Sequence, residues 1–182
     1  MKDLIIGSLL AAVAMFVWGF LFWVVSGIPQ SALRSTPDAP AAQLALATAF
    51  PDSGAYFVPD PALPPDEFAA LHEAGPLAFV HVRREGAPPM DPGVLLSGFA
   101  HNWLTTFLLA WLMLRTSSPT YLSRVAFIAV AGVAAAFFID YGAAIWFYAD
   151  RAFQSVNMLS NAGSWLVAGL VLAWKPGSRT RG

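Results

Sequence analysis

Apolar residues gather into four long runs along the chain, Leu4 to Ile28, Gly93 to Leu114, Val125 to Tyr148 and Val156 to Trp174, interrupted by a single formal charge at Asp140. A helix crossing a hydrocarbon core about 30 Å thick needs about 20 predominantly apolar residues, and each run meets that length. Four transmembrane helices are therefore expected. The first, about 25 residues and about 37 Å long, should tilt and be closed by Pro29, which cannot continue a helix. A cleaved secretory leader has an apolar stretch of only about 7 to 15 residues, so the length of this run predicts a retained anchor instead.

Residues 29–92 separate the first run from the second and hold twelve of the fourteen prolines. Such a stretch can be a loose linker, but its apolar spacing predicts structure. Ala41, Leu44, Ala45 and Thr48 recur at helical intervals, and Gly54 to Pro59 reads as a short strand. Asp66 is placed to cap a helix over Glu67 to Glu73 that stops at Gly75-Pro76, and Leu77 to Val82 reads as a second strand. The expected fold is an all-α polytopic membrane protein with a small α+β extracytoplasmic cap, built on a two-stranded sheet, between helices one and two. Residues 1–28 form the first helix, 29–92 the cap, 93–175 a three-helix region and 176–182 a basic tail. So short a cap buries little apolar surface alone and should rest on the helices or on a partner.

Composition strengthens the membrane reading, because 57% of residues are hydrophobic and only 12% charged, which excludes a disordered or nucleic-acid-binding chain. With no Cys, disulfide frameworks, Cys-ligated zinc and iron–sulfur clusters are excluded as well. Charge sets the orientation. Lys2, Arg115, Arg124, Lys175, Arg179 and Arg181 flank the helices on one side, which by the positive-inside tendency is cytoplasmic. The 29–92 segment carries three Arg against eight acidic residues and should lie outside. Trp111, Tyr121 and Trp174 then fall at the inner interface, and Trp23, Trp146 and Tyr148 at the outer one, where amphipathic rings settle. The expected location is a bacterial inner membrane, with both termini cytoplasmic and residues 29–92 periplasmic.

Asp140 is the residue that most changes this picture. A carboxyl near the bilayer centre costs roughly 2.5 to 3.5 kcal/mol on insertion scales, so it should face protein and have a partner. His101 lies at a similar distance from the outer end of its own run, and antiparallel neighbours would bring the two level. Asn157, Asn161, Ser164 and Ala168 share one face of the fourth run, Ser97 and Thr105 share the His101 face, and Gly132 and Ala136 extend a small-residue stripe below Asp140. The expected polar intramembrane cluster is thus His101, Thr105, Asp140, Asn157, Asn161 and Ser164. Its plainest role is interhelical glue, since helices in lipid associate through small residues and hydrogen bonds. The competing role is a proton or ion relay, although the inner half offers no titratable continuation.

A third reading makes His101 a contact for a pigment or haem, with Ser97 one turn earlier leaving room for a flat macrocycle. Bis-His haem is excluded because no other run contains a His. His72 and His81 fall in the cap beside charged residues, and the cap carboxylates lack the spacing of a calcium loop. No zinc-binding H-E-x-x-H, nucleophile elbow or phosphate loop is present, so no enzyme is expected. The overall plan, with Phe16-Val17-Trp18-Gly19-Phe20, the Phe50-Pro51-x-Ser53-Gly54-x-Tyr56 stretch and Gly98-Phe99-x-His101, resembles small bacterial inner-membrane proteins, a resemblance that implies no activity and no residue role. The resulting expectation is an accessory or assembly subunit of a larger membrane-protein complex, such as a photosynthetic or respiratory one. Its partners would be that complex and membrane lipid, with lipid or pigment contacts rather than a cofactor of its own. The alternative is a stand-alone small transporter or proton-conducting protein.

Overall fold

The structure, a computed structural model, describes residues 2–116 and 120–174; the expected basic tail at 176–182 lies outside the described residues. Four helices are long and apolar enough to cross a membrane: helix one (Lys2–Val25), helix two (Pro92–Met113), helix three (Tyr121–Trp146) and helix four (Arg151–Ala173). Helices two, three and four begin before their apolar runs do, because their starts are fixed by polar caps that hydropathy does not see. The Asp91 carboxylate accepts from the Gly93 N–H, and Asp150 accepts from the Phe153 N–H. Thr120 and Ser123 form a reciprocal capping box at the start of helix three. Helix one stops four residues short of Pro29. Gly27 adopts a left-handed backbone at φ 73°, and Pro29 sits instead in a separate turn, Ile28–Ser31.

The cap follows the expected element order. A helix, Ala39–Ala49, starts at the Asp38 side chain, which accepts from the Ala41 N–H. The second cap helix, Pro65–Ala74, begins one residue before Asp66, which therefore does not cap it. Proline at the first helical position needs no amide partner, and Asp66 and Glu67 occupy the first turn, favoured there by the helix dipole. Strands β1 (Gly54–Val58) and β2 (Ala78–Val82) pair antiparallel, from Gly54 opposite Val82 to Val58 opposite Ala78. Just past β2, Arg84 donates from one guanidinium nitrogen to the carbonyls of Ala47 and Phe50, tying the first cap helix to the sheet. Ser53 accepts from the Arg84 N–H and donates to Glu85. A backbone hydrogen bond and this Ser53 contact hold the Glu85 carboxyl below its ordinary range.

Two ring contacts join the cap to the link between helices three and four. Phe79 of β2 stacks on Phe147, just past helix three, at 5.2 Å. The His72 ring packs against Tyr148 at 5.9 Å between centroids. Tyr148 holds a left-handed backbone, φ 56°, in the short link to helix four.

The long helices pack in the spatial order two, one, four, three. The broad interfaces join helices three and four, one and two, and one and four, whereas helices two and three share no comparable interface. A core of Leu4, Ala11, Leu109, Ala110, Ile128 and Leu172 gathers all four towards the Lys2 end. Much of the remaining helix surface is apolar and exposed, including Leu96, Phe138 and Trp146.

Candidate functional site

Helix four is the hub of the polar contacts near the cap end. Two adjacent residues, Ser160 and Asn161, are turned about 100° apart around its axis and so reach different neighbours. The Ser160 hydroxyl accepts from the Trp23 indole at 2.9 Å, and its carbonyl accepts from the Trp18 indole at 3.0 Å, both from helix one. On the other side, the Asn161 amide donates to a carboxylate oxygen of Asp140 in helix three at 2.8 Å. Asp140 is 7% exposed and Ser160 3% exposed, whereas Asn161 and Trp23 are exposed, so each clasp joins a buried polar group to a partner at the helix surface.

Each clasp lies in or beside a wider helical turn on the neighbouring helix. Helix one contains a π turn at Leu21–Val25, which holds Trp23, and helix three contains one at Phe137–Tyr141, which holds Asp140. The buried positions of helix three explain the second. Ile128, Gly132, Ala136, Asp140 and Ala144 recur at intervals of four, and in an ideal α-helix every such step would drift about 40° around the axis. The extra residue in the π turn absorbs that drift and keeps Asp140 aimed at helix four.

The expected six-residue cluster is divided by this arrangement. Asp140 and Asn161 meet. Asn157 instead donates to the Gln154 side chain one turn earlier, and the Ser164 hydroxyl donates to the Ser160 carbonyl. Thr105 donates to the His101 carbonyl within helix two. His101 is exposed on the face of helix two that points away from helix one, at the opposite end of the row from helix three. It is therefore not the partner of Asp140: consecutive helices two and three are not spatial neighbours, because helices one and four lie between them.

A second set of contacts joins helices one and two. The buried Thr106 hydroxyl reaches the Ser8 carbonyl at 2.8 Å, and the Trp103 indole donates to the Ser8 hydroxyl at 3.3 Å. The apolar pattern gives Ser8 and Thr106 no mark, and gives Ser160 and Trp18 none as a pair, because single Ser, Thr and Trp residues in apolar runs are common. Their value lies in pairings that spacing alone does not reveal. Among the described residues no three His, Cys, Asp or Glu side chains gather at metal-binding distance. The arrangement binds helix to helix. Compared with known proteins, the chain matches no family model, no curated protein and no solved structure.

The Asp140–Asn161 contact predicts a graded response. Asp140→Asn keeps an oxygen acceptor and should leave unfolding in detergent nearly unchanged, whereas Asp140→Leu strands the Asn161 amide and should cost about 1 to 2 kcal/mol. Equal loss in both variants would show that the carboxylate charge, rather than the hydrogen bond, matters.

Proposed function

We propose that the chain is a multi-pass protein of a bacterial inner membrane that serves as a non-enzymatic accessory or assembly subunit of a larger membrane complex, a photosynthetic or respiratory one being the kind that fits. The observation that carries this reading is the open row of helices. Three interfaces hold four helices, and the two flanks, on helices two and three, face outward with large apolar side chains. Lipid accepts such flanks without penalty, and a larger assembly can pack against them without competing for the chain's own contacts.

The polar groups support a packing role over transport. Asp140, Asn161, Ser160, Thr106 and Ser8 are engaged between neighbouring helices, and His101 stands apart from them. A relay needs groups continuing from one to the next, and Asp140 and His101 lie at opposite ends of the row. The Lys and Arg asymmetry supports cytoplasmic termini and a periplasmic cap, so a reporter fused after Arg115 should read cytoplasm and one at Asp60 the exterior.

The test is mild solubilisation of the source membrane followed by native mass measurement, tracking the chain with an antibody to the cap. A stoichiometric larger companion is expected. Recovery only as a monomer or small homo-oligomer would overturn the accessory reading, and proton flux in vesicles that vanishes with Asp140→Asn would replace it with transport.

A further inference from the structure

Helix two ends the row, and its free face is built from Val94, Ser97, His101, Leu104, Leu108 and Trp111, at alternating intervals of three and four and all exposed. Depth decides what this face requires. Phe99 packs on Phe16 and Thr106 bonds the carbonyl of Ser8. His101 lies between those two levels and so stands beside Val13 and Ala14, the midpoint of Lys2–Val25. With the helices spanning a bilayer, as proposed above, the imidazole sits at the centre of the hydrocarbon. The hydroxyls of Ser97 and Thr105 are satisfied within helix two, donating to the carbonyls of Gly93 and His101. The His101 ring makes no hydrogen bond among the described residues. Ionisable side chains at that depth are costly and almost always face protein.

We propose that this face is covered by helix two of a second copy, in a parallel homodimer whose two-fold axis runs along the bilayer normal and whose central contact is a hydrogen bond between the two His101 rings. Copies of one chain share one topology, so every residue of one lies at the same depth as its counterpart in the other. A two-fold axis sets each axial residue opposite itself. A neutral imidazole carries one donor and one acceptor, which makes the pair self-complementary. Intervals of three and four give the seam of a left-handed helix pair, and with the Ser97 hydroxyl already satisfied within its own helix, His101 is the polar residue that fixes register and partner number. Ser97 and Gly98 beside it are small, with open space at the Gly98 position, so the backbones can approach closely. An unrelated helix would need its own polar group at this one depth. The dimer continues the row through its centre and leaves helix three free for the larger companion.

The chain contains no Cys, so introduced thiols report without background. In oxidised membranes, Ser97→Cys and Leu104→Cys should each yield a disulfide-linked dimer of twice the chain mass, while Phe138→Cys, on the far flank, should not. In the Ser97→Cys background, His101→Leu should weaken dimerisation about tenfold, and His101→Gln, which keeps a donor and an acceptor, should restore most of it. Absence of dimer at both positions in chains that keep their helical circular dichroism overturns the proposal. So does equal cross-linking of Phe138→Cys, insensitivity to His101→Leu, a haem-type absorption band lost with His101, or capture of a different protein at Ser97. Absence of a larger companion bears on the accessory reading alone and leaves the dimer standing.

Discussion

Gly132→Ala is expected to destabilise the helix three–helix four pair by about 3 kcal/mol, although alanine in a helix interior ordinarily gains about 1 kcal/mol over glycine. A Cβ built at Gly132 collides with Cβ and Cγ of Trp165. Those atoms are the root of the side chain, fixed to the backbone of helix four, so no rotamer change removes them. The helices must separate, and this is the broadest helix–helix interface in the chain. Separation also stretches the Asn161–Asp140 bond, one turn away along helix four and two along helix three. Gly7 and Gly19 are the controls, because nothing lies within 4 Å of a Cβ at either position. Gly7→Ala and Gly19→Ala should be neutral or slightly stabilising. Reversible unfolding of the three variants in one detergent decides the matter, and a Gly132→Ala variant as stable as Gly19→Ala would show that the interface is far looser than described.

That prediction marks the boundary of what sequence alone reveals here. The four helices were legible because only helices of about 20 apolar residues satisfy their own backbone in hydrocarbon, so run length reports them directly. The cap sheet was legible too, from two short apolar runs bounded by turn residues. Helix ends were less so: Asp91, Thr120 and Asp150 start helices beyond the apolar runs, and a hydropathy window treats such residues as loop. Asp66 illustrates the reverse error, a good capping residue displaced by Pro65 into the first turn.

Helix neighbours were the least legible feature, for a physical reason. In water the apolar stripe of a helix points to its partner, but helices apolar enough to cross a membrane are apolar on most of their surface, and the stripe is lost. Neighbours are chosen by where a glycine admits a large ring and where a hydroxyl or amide finds an acceptor. Ser8 with Thr106 selects helix two for helix one, and Ser160 with Trp18 and Trp23 selects helix one for helix four. Pairing His101 with Asp140 assumed that consecutive helices are adjacent, and these local fits override that tendency.

Gly163→Ala tests the selection of helix one by helix four and should cost about 2 kcal/mol. Here the added Cβ meets Cζ2, Cε2 and Nε1 of Trp18, the far edge of the ring rather than its root. The indole can swing aside, which makes the expected loss smaller than at Gly132, but swinging breaks its 3.0 Å bond to the Ser160 carbonyl. It also disturbs the buried Phe22, whose ring lies 5.7 Å from that of Trp18. Trp18→Leu removes the obstructing atoms and the hydrogen bond together, so the two substitutions act on one contact and should not add. In a double-mutant cycle the Gly163→Ala cost should nearly disappear in the Trp18→Leu background, a coupling of more than about 1 kcal/mol. Additive losses would mean that the alanine acts elsewhere on helix four, and the pairing of helices one and four would then need another source than the ring seated on Gly163.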